Sequence, residues 1–390
     1  MIDVKNADII IIGAGICGSV IARKLAEDNK KVLIIERRNH IAGNLYDEMD
    51  ENGIFVQRYG PHIFHTDNKE IYNFITKYHE WNDYHHCPLV EMDGILSPSP
   101  PDYTTIDLFF DKKKGDILKN KLEKYFNGKE TVSILELISS EDQDIKNYGD
   151  KLYEANYKPY TAKQWGIPPE EIDPCVFNRV PVRLNYKKGY FNDKFVCMPK
   201  SGFTNIFNKL LDHKNIYIKL NTNAINHFKI DTIKKQIVYN DKKLNVPFIY
   251  TGAIDELLDY KYEELPYRSL RFEYKTENTD SFQKASVVAY PKESGYTRIT
   301  EFKKLPPQDV KNVTSIMYEY PLKADKNEGN EPYYPIINKN NVMLYNKYFS
   351  DLKEIPNLYL CGRLADYKYY DIDDAIERAL EVYEKIKIEQ

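Results

Sequence analysis

The stretch ADIIIIGAGICGS (residues 7–19) joins four consecutive isoleucines to three glycines in the spacing GxGxxG. Such a β-branched run reads as a strand buried on both faces. Residues 18–28 carry helical spacing through Val20, Ile21 and Leu25, so the glycines open a helix. Residues 31–35 (KVLII) form a second strand, which Glu36 ends. This is a βαβ unit, the start of a parallel sheet covered by helices. Its residue types answer to one ligand chemistry. Gly13 makes the tight turn, Gly15 lets backbone approach a pyrophosphate, and Gly18 permits close packing of helix on strand. The helix N-terminus, with Ile16 and Cys17 in its first turn, receives the negative charge. Glu36 stands eighteen residues after Gly18, where an acid binds ribose hydroxyls. The bland alternative is a tight turn with no ligand, and strand, helix and acid together weigh against it.

Composition narrows the rest. With 390 residues, 42% hydrophobic and 29% charged, the chain has material for two or three globular domains and is not a disordered segment. A net charge of −4 gives no nucleic-acid footprint. Five scattered cysteines, with no CxxC pair and no zinc spacing, suit a reducing cytoplasm and leave no metal site. The N-terminus is not basic and its apolar run is too short for a signal peptide or a membrane span, so the expectation is a cytoplasmic protein without membrane partners.

Further along, LSPSPPDYTT (96–105) cannot sustain a helix or a central strand and reads as a hinge. Residues 105–157 then read mostly helical, with Leu108, Phe109, Ile117, Leu118 and Leu122 spaced for one face. From about 175, short β-branched and aromatic runs such as VPVRLNY, GYFNDKFVCMP, YRSLRFEYK and YTRITEFK suggest an antiparallel sheet. FTNIFNKLLDHKNIYIKL, VPFIYTG and NLYLCGR read as returns to the first sheet, and residues 372–387 as a final helix. The expected architecture is α/β. Residues 1–90, 200–262 and 350–390 form a discontinuous Rossmann-like unit. Residues 91–165 are a mostly helical insertion, and 166–199 with 263–349 an antiparallel sheet unit for substrate.

The loop Arg37-Arg38-Asn39-His40-Ile41-Ala42-Gly43-Asn44 follows the acid closely. It resembles the second pyrophosphate and ribityl contact of FAD-dependent, amine-oxidase-like proteins, which favours FAD over NAD. A series of further motifs then runs in order: YGPHIFHT (59–66), YTAKQWG (160–166), RVPVR (179–183), YRSL (267–270), YTRITE (296–301), EYPL (319–322), EPYYPI (331–336) and CGRLADYKYYDID (361–373). In that order and at those separations the chain resembles the bacterial UDP-galactopyranose mutases from about residue 7 to 380.

The resemblance implies an isomerase that interconverts six- and five-membered ring forms of a nucleotide-linked sugar with no net oxidation. Its FAD works reduced: the flavin N5 attacks the anomeric carbon while the nucleotide diphosphate leaves and later returns. The expected reductant is NAD(P)H, and a homodimer is expected by analogy. On this pattern Arg183 and Arg298 hold the diphosphate, a task for which a planar, permanently charged fork is suited. Tyr333, Tyr334 and Tyr369 place phenols around it. Tyr160, Gln164 and Trp165 belong to the base-binding segment. Gly60, His62, Ile63 and His65 fall beside the flavin, where the histidines tune proton transfer. The cofactor set is completed by Arg37, Gly43, Asn44, Gly362, Arg363, Tyr370, Asp371 and Ile372. An internal salt bridge for each arginine, or a structural role for His65 and Trp165, are the ordinary alternatives.

The chain departs from the family pattern near the substrate. Pro61 replaces a small residue beside His62. Asn156 and Tyr157 stand where two aromatic residues usually flank the base. Phe195 stands where a tyrosine is usual near the diphosphate, and GILSPSPPDYTT borders the sugar pocket. UDP-galactose is therefore the first expected substrate. A thymidine-linked or 6-deoxy sugar such as dTDP-fucopyranose is the alternative, because one buried polar partner can discriminate a hydroxyl. The rivals from other classes are an amine-oxidase-like FAD oxidoreductase and a nucleotide-binding scaffold without activity.

Overall fold

A computed structural model describes residues 4–166, 177 and 180–389, without the side chains of Trp165 and Lys326. Its centre is a five-stranded parallel sheet in the spatial order Ile216–Lys219, Val32–Ile35, Ile9–Ile12, Phe248–Tyr250 and Leu358–Leu360. Alternation along each strand sorts the apolar residues between two cores. Ile9, Ile11, Val32, Ile34 and Ile249 face one core, with the helices Ile16–Glu27, Phe203–Leu211 and Ile372–Glu389. Ile10, Leu33, Ile35, Phe248 and Tyr250 face the other, with Phe228, Tyr348 and Leu352. Four isoleucines in a row are thus what a strand covered on both sides requires.

A second sheet has seven strands: Tyr334–Pro335, Tyr267–Glu277, Thr314–Lys323, Arg298–Glu301, Val287–Ala289, Leu89–Met92 and Ile95–Pro98. The last two begin earlier than the sheet unit expected from the sequence. Met92 pairs with Ile95 across Asp93 (φ 53°) and Gly94 (φ 84°), a two-residue hairpin turn with both central residues left-handed. The helical unit therefore starts at Tyr103 rather than at 91. Pro98 sits at the end of an edge strand, where its missing N–H breaks no ladder.

Two further differences concern residues 105–199. The helical run breaks at Phe110-Asp111, where the Asp111 carboxylate accepts from Lys114 N and starts a new helix, Lys112–Tyr125. The break resets the helical phase, so Leu118 and Leu122 are buried while Leu108 and Ile117 face solvent. Val182–Arg183 pairs with Thr131–Val132 in the helical unit, and Phe195–Pro199 pairs with Phe64–Thr66 and Trp81–Asp83 in a separate three-stranded sheet. Neither joins the seven-stranded sheet, because each finds its pairing edge elsewhere. No described helix is long and apolar enough to cross a membrane.

Candidate active site

Two adjoining clefts open where the parallel sheet, the helical unit and the seven-stranded sheet meet. The first lies at the carboxyl ends of the parallel strands. Gly13, Gly15, Ile16, Cys17 and Gly18 line it, together with Glu36, Arg37, Gly43 and Asn44. Gly362, Arg363, Tyr370, Asp371 and Ile372 close the opposite side. A Cβ on Gly18 would lie 2.1 Å from Gly13 O, and one on Gly43 (φ +55°) would lie 2.9 Å from Gly15 Cα. Glycine is thus enforced where two backbones cross. Gly15 caps the helix Ile16–Glu27 without a side-chain hydrogen bond, so its first amides are left to an anion. Glu36 is pinned by both oxygens, Oε2 accepting from Ala14 N and Oε1 from Arg38 N, each at 2.8 Å. A glycine cradle for a pyrophosphate with a fixed carboxylate for a ribose fits FAD. Arg38, from the quoted loop after Glu36, also lines this cleft, as do Thr222, Thr251 and Gly252, which carried no recognised motif.

The second cleft shares His62, Arg363, Asp371 and Ile372 with the first. Its wall includes His65, Arg298, Tyr334 and Tyr369, and from the helical unit Asn156, Tyr157 and Tyr160. Asn156 and Tyr157 are held in a π-helical segment, Tyr153–Tyr157, between two α-helices. Such single-turn insertions recur at functional sites.

Charge is concentrated on two arginines. Arg298 pairs with the buried Glu319 at 2.7 Å, while its Nε is buried with no acceptor among the described residues. Burial opposes the guanidinium charge, but Glu319 more than offsets this and holds it protonated beyond its ordinary range. Arg363 donates from Nη2 to Tyr370 O at 2.9 Å, and its guanidinium carbon lies 4.7 Å from the ring centre of Tyr334 and 5.5 Å from that of Tyr369. The two phenol rings stack at 5.7 Å.

Two imidazoles, those of His62 and His86, are kept neutral. His62 Nδ1 lies 2.8 Å from Gly60 O, so it carries the proton and Nε2 is the acceptor. Burial, with the charge of Arg363 and Arg298, drives its pKa down to about 3. His86, in the same cleft, is also lowered to about 3 by burial and by Arg298 and His85, and its Nδ1 is buried without a partner among the described residues. His65 stacks on Phe191 at 3.9 Å, with Nδ1 3.3 Å from Asp193 Oδ1.

Several expected site residues stand elsewhere. Arg183 does not line the second cleft: its guanidinium donates to the carbonyls of Lys187, Gly189 and Tyr190 and to Asn192 Oδ1. Phe195 stacks on Tyr72 at 4.2 Å, away from both clefts, because its strand pairs with Phe64–Thr66. Tyr333 lines the first cleft rather than the second, and Ile63 the second rather than the first. Gly60 lines neither and acts through its carbonyl on His62. Gln164 is off the wall, its Oε1 buried without a partner among the described residues. The Trp165 side chain lies outside the described residues. Ser99 and Thr161 come from the quoted stretches GILSPSPPDYTT and YTAKQWG, whereas the sequence reading missed His86, Tyr190 and Phe191, all on the second wall. The aromatic pair Tyr190-Phe191 after Gly189 was the available signal, since a turn glycine followed by two rings in a polar stretch is not a buried strand.

With this geometry in place, comparison with known proteins decides the family. A family model described as UDP-galactopyranose mutase matches residues 155–369. The chain belongs to the UDP-galactopyranose mutase family. A model of NAD(P)-binding Rossmann-like domains matches residues 11–78. The chain is 34% identical to a UDP-galactopyranose mutase of Mycoplasma pneumoniae over 97% of its own length and 96% of the relative's. It is 37% identical to a dTDP-fucopyranose mutase of Escherichia coli, over 96% of each chain. A crystal structure of reduced UDP-galactopyranose mutase shares the fold, with a TM-score of 0.73 at 18% identity, covering 98% of this chain and 94% of the other. As a member of this family the chain is an isomerase with FAD as its cofactor.

Proposed function

We propose that this mutase interconverts the pyranose and furanose forms of a nucleotide-diphosphate sugar, with UDP-galactose as the first substrate. The observation that carries the reading is the shared wall of His62, Arg363, Asp371 and Ile372, which brings a sugar in the second cleft against a cofactor in the first. Bound FAD, kept reduced by a reduced nicotinamide, supplies the nucleophile for the anomeric carbon. The chain supplies placement and charge. Arg298 and Arg363 hold the diphosphate while it is detached, and Nε of Arg298 is the donor left open for it. Tyr334 and Tyr369 add hydroxyls on rigid stems. His62, neutral with Nε2 as acceptor, takes a hydrogen bond or a proton from a sugar hydroxyl without bringing a competing positive charge. The aromatic wall of Tyr157, Tyr190 and Phe191 restricts water.

A second reading, dTDP-fucose or another 6-deoxy sugar, is favoured by the apolar strip of Pro88, Leu89, Val90, Val287 and Ala289 on the same wall. A methyl group sits against such a strip at no cost, whereas a hydroxymethyl group leaves its hydroxyl unpaired. The test is an assay under dithionite with UDP-galactofuranose and dTDP-fucofuranose in parallel, following the pyranose by chromatography. Conversion of the first alone establishes a galactose mutase, and conversion of the second alone makes the strip a specificity wall. Net flavin oxidation or reduction in step with substrate would sink both readings in favour of oxidoreductase chemistry.

A further inference from the structure

Lys163 lies on the helix Lys158–Trp165, the element that brings Tyr160 and Thr161 to the second cleft. Its ammonium reaches across to the seven-stranded sheet and donates to three backbone carbonyls, Tyr290 O at 2.7 Å, Glu293 O, and Tyr296 O at 2.9 Å. All three belong to the loop joining the strands Val287–Ala289 and Arg298–Glu301. An ammonium has three donors and no acceptor, so one carbonyl per proton satisfies it fully. Burial pulls its pKa below the ordinary lysine value, with Glu293 opposing. Its hydrogen bonds are spent on main-chain oxygens, an uncommon use of a half-buried lysine.

The elements it joins make it more than a surface tie. On one side stands the helix with Tyr160; on the other, two residues beyond Tyr296, stands Arg298 with its open Nε. A nucleotide sugar that spans the cleft must engage both at once. The loop is held by edge-to-face ring contacts, Tyr296 lying 5.0 Å from Tyr318 and 5.5 Å from Tyr290. The helix ends at Gly166 (φ 64°), where among the described residues nothing lies within 4 Å of a would-be Cβ.

We propose that Lys163 is a positioning residue that fixes the distance between the base-side helix and the Arg298 strand, so that nucleoside and diphosphate are gripped together. This rests on the reading of the second cleft as a nucleotide-sugar site. Two half-sites held at the right separation bind a spanning ligand far better than either binds its own half, and the advantage is lost when the separation is free to vary.

The test is Lys163→Met in the FAD-loaded enzyme, which keeps the stem and deletes the charge. Affinities for UDP, dTDP and inorganic pyrophosphate are measured by calorimetry beside kcat, KM, flavin content and thermal midpoint. The expected result is a loss of at least about tenfold in nucleoside diphosphate affinity and a matching rise in KM. Pyrophosphate affinity and flavin content stay within about twofold. Lys163→Arg, which keeps donors in reach of the carbonyls, recovers part of the loss. Equal weakening of pyrophosphate and nucleoside diphosphate overturns the proposal, as does no weakening of either. A wild-type enzyme that binds neither UDP nor dTDP instead overturns the reading of the cleft itself.

Discussion

Arg298 and Glu319 stand opposite one another on adjacent antiparallel strands, and their side chains close a 2.7 Å ion pair across the ladder. Glu319 is 1% exposed, so the pair is anchored from the protein side and presents the rest of the guanidinium to the cleft. The two residues therefore fail differently when changed. Arg298→Ala should cost about 10²-fold or more in kcat/KM, with flavin content unchanged, since a developing diphosphate loses a preorganised donor. Glu319→Gln leaves a partly buried cation without its carboxylate and should destabilise the fold by on the order of 1–3 kcal/mol. Steady-state kinetics and urea denaturation of the two variants separate these outcomes. Equal kinetic losses with equal stabilities would contradict the assignment.

The neutral histidines give an acid-side signature. In the unfolded chain each imidazole takes a proton below about pH 6.5. In the fold His62 and His86 resist it down to about 3. Folded pKa values below the unfolded ones mean that the stabilisation is complete above about pH 6.5 and drains away as pH falls toward 3. Each histidine adds a slope of about 1.4 kcal/mol per pH unit inside that window. Urea midpoints measured from about pH 7 down to about pH 4 should fall. His86→Gln should flatten the curve by the share of one group, and a parallel curve for the variant would show that His86 titrates normally.

Gly43 sets cofactor loading. Its positive φ and the 2.9 Å approach of a would-be Cβ to Gly15 Cα leave no room for alanine without moving the pyrophosphate loop. Gly43→Ala should yield folded protein with markedly less flavin per chain, read from absorbance of the purified enzyme. Full flavin occupancy would show that the loop yields.

Arg183 is expected to act through the backbone it holds. Arg183→Ala strands the carbonyls of Lys187, Gly189 and Tyr190 and should cost about 2 kcal/mol or more of stability, with a rise in KM through the displaced Tyr190. Arg183→Lys should not restore it, because one ammonium does not span four acceptors. If Arg183 instead touched the diphosphate directly, nucleotide affinity would fall while the denaturation midpoint stayed put.

The parallel sheet was legible because its signals are local: an isoleucine run, three glycines and an acid within thirty residues. Its late strands were legible too, each a short apolar run beside a turn. What escaped were decisions made between distant segments. Whether Phe195 or Phe191 reaches the cleft depends on which strand Phe195–Pro199 pairs with, and side-chain direction inverts with every residue of register. Arg183 looked like a ligand-binding arginine because residue type does not reveal that a following turn supplies four acceptors. The hairpin at Asp93-Gly94 was readable and overlooked, its turn dipeptide masked by the prolines behind it.

The cofactor cradle is assembled from two segments far apart in the sequence. Gly13 to Gly18 are synthesised well before Gly362, Arg363 and the helix Ile372–Glu389. A nascent chain on the ribosome therefore carries half a cradle until the second segment has emerged. The exposed edge of Phe248–Tyr250, which pairs with Leu358–Leu360, waits as long. Flavin capture should therefore wait for that second segment, and removal of the helix Ile372–Glu389 should send the chain toward chaperones and proteolysis rather than toward a colourless but folded enzyme.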